Sequence, residues 1–157
     1  MIEQLQNFLT FNNIFLCTTF GIIPFWLMII IIPNSKFTSF FVNSIILPLI
    51  LSTVYVYVLY QTFLLDEPFI SIFELYSSLD GLYTVFSSET FLLVFWLHFL
   101  ALNIFLGSWI SRDGLKHNMP RGLVSVPLIL VYLFGPLGLL LYWMIRVFYA
   151  KRLGIHD

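Results

Sequence analysis

Charge is what this chain has least of. Lys, Arg, Asp and Glu make up 10% of its 157 residues, while apolar residues make up 60%. A globular protein carries about 25% charged side chains, so this chain lacks the surface to face water and reads as a membrane protein. Its net charge of −1 argues against nucleic acid as a partner, because a duplex demands a basic face. Cysteine is nearly missing as well. Cys17 stands alone, so neither an internal disulfide nor a thiolate metal cluster can form within the chain. The three histidines, His98, His117 and His156, lack the spacing of a zinc or di-metal site, and no metal is expected. No GxGxxG, P-loop, HExxH, CxxC or GxSxG occurs, which argues against nucleotide-dependent, zinc-dependent and serine-hydrolase chemistry. No basic stretch precedes the first apolar run and no Arg- and Ser-rich transit segment is evident, so that run is expected to be an uncleaved anchor.

What the chain has in abundance is apolar length. Residues 91–112 read FLLVFWLHFLALNIFLGSWISR, long enough to cross the ~30 Å hydrocarbon core as one helix. The same reasoning along the chain predicts an all-α membrane protein with four transmembrane helices, at about 14–32, 40–65, 89–111 and 123–149. Together they make a single transmembrane helical domain over residues 1–157. Residues 1–12 read as a short interfacial start. Pro24 kinks the first span and Pro33, Asn34 and Ser35 end it. The tail of the second, VYVYVLYQTF, alternates like a strand, but a lone strand cannot satisfy its backbone in lipid, so a helix is predicted. Residues 66–88 hold Asp66, Glu67, Glu74 and Asp80, with Glu89 beside them and no base. Phe69, Ile72, Phe73 and Tyr76 give that segment the spacing of a short amphipathic helix on the membrane surface, and Asp80-Gly81 marks a turn. Ser88 is placed to cap the third span. The fourth span exceeds what the bilayer requires, so it must tilt, bend or protrude, with Gly135-Pro136 the expected bend. Four spans would set Lys36, Arg112, Lys116 and Arg121 on one side and Arg146, Lys151 and Arg152 on the other, a balance too even to orient the protein.

Few residues inside these spans are ones that lipid alone would not select. His98 in the third span is either a histidine hydrogen-bonded to a neighbouring helix or a functional group, since ionisable residues in a membrane mark function. Asn103 lies roughly 140° around the helix from His98, and it serves as interhelical glue or as a site residue. Asn103, Gly107 and Ser111 fall four residues apart and share a face. Gly138, Tyr142 and Arg146 repeat that spacing on the fourth span. These two stripes are expected to pack together, with Gly107 near Gly138, because small residues permit close approach. Gly107→Leu is accordingly expected to disturb packing more than Gly114→Leu, with Gly114 assigned to a loop. Arg146 belongs to this stripe or snorkels to the interface. Arg112 and Asp113, placed just past the third span, form a polar loop pair that contacts phosphate or gates, or they cap a helix end.

The residues in order resemble a known family. PFWLMIIIIP at residues 24–33 resembles the "proline, Phe-Trp, apolar, Pro" opening of the neoxanthin synthase-like, abscisic-acid-deficient-four type of membrane proteins. His98, Asn103, Gly107, Ser108 and Trp109 resemble that family's "His, four residues, Asp, three residues, Gly-Arg-Trp" pattern. Gly135, Pro136, Gly138, Leu139, Leu140, Tyr142 and Arg146 resemble its "Gly-Pro-x-Gly-Leu-Leu-x-Tyr-x-x-x-Arg" ending. Asn103 stands where the family has Asp, and Ser108 where it has Arg. If the carboxylate carries a proton, the amide cannot replace it. If the pair is structural, the joint change removes two buried charges.

The resemblance implies a small four-helix protein of thylakoid, plastid or bacterial membranes, with the mitochondrial inner membrane as a further location. It implies binding or isomerisation of a xanthophyll, notably violaxanthin to neoxanthin, with membrane lipid and a carotenoid as partners. Opening an epoxide to an allene needs acid–base help and no redox cofactor, so no cofactor is required and a bound pigment is expected. His98, Asn103 and Arg146 are the catalytic candidates on this reading. Gly107, Ser111, Gly135, Pro136, Gly138 and Tyr142 form the packing or ligand seam. The alternative is a non-catalytic accessory subunit docked in a large photosynthetic or respiratory membrane complex.

Overall fold

The computed structural model describes residues 10–62 and 77–150, and every regular element among them is a helix. In order these are α1 (Phe11–Gly21), α2 (Ile23–Ile31), α3 (Lys36–Phe41), α4 (Ile46–Gln61), α5 (Leu79–Phe86), α6 (Glu89–Lys116), α7 (Arg121–Phe134) and α8 (Pro136–Ala150). Three stretches are long and apolar enough to cross a membrane: Phe11–Ile31, Lys36–Gln61 and Glu89–Lys116. The expected surface helix around Phe69, Ile72, Phe73 and Tyr76 lies outside the described residues. So do the interfacial start at residues 1–9 and the terminal Lys151, Arg152 and His156.

Prolines set most of the breaks. Pro24 sits at the start of α2, where its missing N–H would have no intrahelical partner anyway. Past Pro33, the Ser35 hydroxyl caps α3 by accepting from the Phe37 N–H at 3.3 Å. The Thr38 hydroxyl donates to the Ile32 carbonyl at 2.9 Å. The second span is two helices rather than one. Pro48 cannot continue a helix upstream, because it lacks an N–H and its ring crowds the preceding turn, so the chain breaks between Phe41 and Ile46. The strand-like tail is helical through Gln61, as the backbone argument requires. Asp80-Gly81 is no turn. Ser78 accepts from the Gly81 N–H at 3.0 Å, which caps α5 and starts a helix where a turn was expected. At Ser88 the hydroxyl pairs with that of Thr90 at 2.9 Å, and the Ser88 carbonyl accepts the Leu92 N–H.

Helix α6 contains no proline and runs for 28 residues, about 42 Å at 1.5 Å per residue. It continues past Ser111 to Lys116, so Arg112, Asp113 and Gly114 are helical and not in a loop. Asn118, with φ of 52°, and Pro120 end it.

The expected fourth span is not one rod. Gly135 takes φ of 56°, a left-handed conformation that side-chain-bearing residues rarely adopt. Pro136 then starts a new helix that doubles back. A methyl group at Gly138 would meet the Val131 amide nitrogen and, at 2.6 Å, the Pro127 carbonyl oxygen. The Tyr149 hydroxyl donates to the Asn118 carbonyl at 3.4 Å, tying the end of α8 to the residues that precede α7. Helices α7 and α8 are therefore the arms of an antiparallel hairpin. At 14 and 15 residues each arm is about 21–22 Å long, short of the hydrocarbon thickness.

The chain divides into two compact units. One takes Met1–Gly21 and Leu49–Phe99, the other Ile22–Pro48 and Leu100–Asp157. The first is built on Ile14, Val58, Leu93, Val94 and Leu97, with Phe11, Val54, Tyr55 and Leu59 packed around them. In the second, Trp26 lies 5.4 Å from the Tyr132 ring, and Ile29, Ile104, Leu128 and Val131 are fully buried.

Candidate functional site

The second unit holds a cluster of polar groups enclosed by apolar packing. The last turns of α6 supply Asp113, and α8 supplies Tyr142 and Arg146, one turn apart on one face. Tyr142 donates its hydroxyl to Asp113 Oδ2 at 2.5 Å. Arg146 donates Nε–H to the same oxygen at 2.7 Å and a terminal N–H to Oδ1 at 3.3 Å. Asp113 is 6% exposed, and Tyr142 and Arg146 are 0% exposed. Trp143 places its ring 5.1 Å from the guanidinium carbon, and Trp109 meets Tyr142 edge to face at 5.6 Å. His117, one turn beyond Asp113, brings Nε2 to 3.6 Å from Oδ1, within ion-pair range but too long for a hydrogen bond, and that nitrogen has no hydrogen-bond partner. A carboxylate that is enclosed and already accepts three hydrogen bonds presents no open face to a ligand. Its physical work is to clamp the hairpin to α6.

The sequence-predicted residues fall in different places. Arg146 and Tyr142 meet, and Asp113 is the acid that joins them. Arg112 is exposed while Asp113 is buried, because successive helical residues point about 100° apart, so the two do not act as a pair. Asn103 is 7% exposed and meets the hairpin tip, its Oδ1 standing 2.9 Å from where a Gly135 Cβ would lie. Asn103 Nδ2 and Ser111 Oγ are buried without hydrogen-bond partners. His98 belongs to the first unit and is exposed rather than buried, with its ring 6.0 Å from Tyr55. Gly107 does not face Gly138. A Cβ on Gly107 would strike the Trp26 ring at 2.6 Å, so the small residue there admits an indole from α2. Gly138 instead admits the α7 backbone.

The first unit contains a cleft of ≈ 680 Å³ lined by Phe11, Asn12 and Phe15 of α1, Phe86 of α5, and Glu89, Phe95 and Trp96 of α6, with leucines between them. Its aromatic wall is held by contacts among its own members. Phe86 and Phe95 pack edge to face at 4.9 Å, and Phe15 approaches Trp96 at 5.9 Å. Trp96 donates Nε1–H to the Thr19 hydroxyl at 2.8 Å, which fixes the indole plane, and it stacks on Phe99 at 5.5 Å. Glu89 and Asn12 are the polar lining residues. The volume is that of small-molecule sites, which run roughly 300–1,000 Å³ with mostly apolar walls and a few polar groups. Sequence reasoning did not find this cleft, since its residues come from three helices. The available signal was the 18 Phe, which carry no address.

Comparison with known proteins places these features in context. The family described as ABA DEFICIENT 4-like matches residues 13–142, a range that takes in Phe15, Phe86, Glu89, Trp96, Asp113 and Tyr142. The chain is 30% identical over 139 residues to the protein ABA DEFICIENT 4, chloroplastic, of Arabidopsis thaliana. The aligned part covers 86% of this chain and 61% of that protein, so the chain spans less than two thirds of that relative's length. No solved structure matches the chain.

Proposed function

Because the chain belongs to the ABA DEFICIENT 4-like family, we propose that it is an integral membrane protein that binds a xanthophyll, with the end ring in the aromatic cleft of the first unit. The observation that carries this reading is the cleft itself: five aromatic rings around a ligand-sized space, with Glu89 and Asn12 as its polar lining. A xanthophyll end group needs an apolar surface for its methylated ring and a hydrogen-bond partner for its hydroxyl, and the cleft offers an aromatic wall with Glu89 and Asn12 beside it. The polyene then runs along the apolar helix faces, where lipid would otherwise lie. The membranes proposed are thylakoid, plastid envelope or bacterial. Three helices cross, and the α7–α8 hairpin takes the place of the expected fourth span.

Isomerisation of an epoxy-xanthophyll to an allene is the finer form of the same proposal. One C–O bond of the epoxide breaks, a proton leaves the polyene carbon that becomes part of the allene, and the oxygen gains a proton. Atoms and electrons balance without an oxidant, so the protein need only supply an acid and a base. Glu89 is the carboxylate lining the cleft, and it is the residue proposed to exchange that proton. Asp113, enclosed by Tyr142 and Arg146, serves the fold in this reading.

The test is purification in mild detergent from a carotenoid-producing host. Visible absorbance should co-elute with the protein. Trp96→Ala should weaken pigment retention by about tenfold, the effect of roughly 1.4 kcal/mol, which lies within the worth of one aromatic pairing. Glu89→Gln should keep the pigment and lose conversion of an added epoxy-xanthophyll. A colourless protein after loading with pigment would overturn the proposal, as would co-migration with a large complex that alone carries the colour.

A further inference from the structure

The hairpin changes where the charges of this chain lie. Lys36 opens α3, Arg112 and Lys116 close α6, and Arg121 opens α7, all four exposed. Pro33, three residues before Lys36, lines one small cavity with Ser111, Gly114, Met119 and Arg121. The Lys36 turn therefore sits at the same end of the second unit as the C-terminus of α6. A through-going fourth helix would carry Arg146 and the residues after it to the opposite end. The hairpin returns them instead, since Arg146 bonds Asp113 and Tyr149 bonds Asn118. Lys151 and Arg152 follow α8 directly in sequence. All five Lys and Arg among the described residues thus belong to the end at which α6 terminates. Glu89 opens α6 at its other end, and residues 62–88 that lead into it contain acids and no base, as do residues 1–13.

We propose that the chain sits in its membrane with the C-terminal end of α6 on the side of synthesis, cytoplasm or plastid stroma. The α7–α8 hairpin enters and leaves from that side and turns at mid-bilayer. Two observations support the turning depth. Gly135 at the tip abuts Asn103, near the middle of the apolar run 91–112, and each arm is too short to cross. Lys and Arg near span ends govern orientation, whereas Asp and Glu count little. Among the described residues the comparison is then five cations against none, where four through-spans would put Arg146 on the other side. The exposed rim of Lys36, Arg112, Lys116 and Arg121 faces the anionic headgroups of that leaflet. This inference rests on membrane integration and not on the pigment, and resistance of the protein to alkaline extraction from membranes checks that premise separately.

The experiment is cysteine labelling in a Cys17→Ser background expressed in bacterial cells, with a membrane-impermeant maleimide. Gly122→Cys reports the start of α7, where an added side chain meets nothing within 4 Å. Phe148→Cys reports the end of α8, where the side chain is 81% exposed, and Leu79→Cys, 80% exposed, reports the segment before α6. Leu79→Cys should react in intact cells, and Gly122→Cys and Phe148→Cys only after the inner membrane is opened. Replacing Lys36, Arg112, Lys116 and Arg121 together by Gln should make the labelling of all three sites mixed. Gly122 and Phe148 reacting from opposite sides would overturn the hairpin. Both reacting in intact cells would overturn the orientation, and so would an unchanged pattern in the Gln variant.

Discussion

Asp113 is one carboxylate on which the placement of a whole hairpin depends. Arg146 is fully buried, and a guanidinium in apolar surroundings holds its place only while its charge is answered. Removing one member of such a pair leaves the other uncompensated, at a cost of about 3–5 kcal/mol. Asp113→Asn and Arg146→Gln should each lower the thermal midpoint in detergent sharply, while Asp113→Leu combined with Arg146→Met should recover most of the loss. Single variants that melt with the parent would show that the pair contributes nothing. The glycines of α6 behave differently from what their sequence positions suggest. A Cβ on Gly114 would come within 2.8 Å of Val124, as one on Gly107 would come within 2.6 Å of Trp26. Gly107→Leu and Gly114→Leu should therefore both destabilise, by about 1–3 kcal/mol or more, and Gly122→Ala should be neutral. Equal melting of all three variants would sink this. The expectation that Gly107→Leu disturbs packing more than Gly114→Leu rested on Gly114 lying in a loop, whereas α6 carries it to Lys116.

At the scale of elements, the hairpin is the feature on which the proposed position in the membrane turns. Its tightness depends on Gly138, where the atoms that an added methyl would meet are the backbone of Val131 and Pro127 together with the Val131 side chain. An indole can shift by a few tenths of an ångström, but a helix backbone at its closest approach cannot. Gly138→Ala should consequently be more damaging than Gly107→Ala, although both add a single methyl. The checks are the melting temperature and the rate of proteolysis at the α7–α8 junction. A Gly138→Ala protein as stable and as protease-resistant as the parent would mean that the arms are not in contact. Residues 123–149 carried a true signal in Gly135-Pro136, which does break the helix. The angle of the break was not legible, because a Gly-Pro pair permits both a shallow kink and a full reversal. Packing of Gly138 on α7 and the Asp113 clamp select the reversal.

At the scale of the molecule, the described surface is apolar on helix after helix. Phe20, Phe40, Ile45, Leu49 and Phe148 are all among its exposed large side chains, far beyond the patches that a soluble monomer tolerates. Removing detergent should precipitate the protein, and a monodisperse detergent-free monomer would refute the membrane reading. The bases of α6, Arg112 and Lys116, both fall in its last turns, whereas Glu89 opens it.

Composition alone determined that this chain is helical and apolar enough for lipid, because a backbone surrounded by apolar side chains must bond within itself wherever water is absent. The ordered residues around Pro24, His98 and Gly135 also carried the family. Tertiary structure alone decided that Arg146 answers Asp113, that Gly107 makes room for Trp26, and that rings from three helices line one cleft. Those pairings join positions far apart in sequence, and helical periodicity reports which face a residue occupies but not which face it meets. The reversal at Gly135 depends on such contacts too, and with it the end of the protein to which Arg146 belongs.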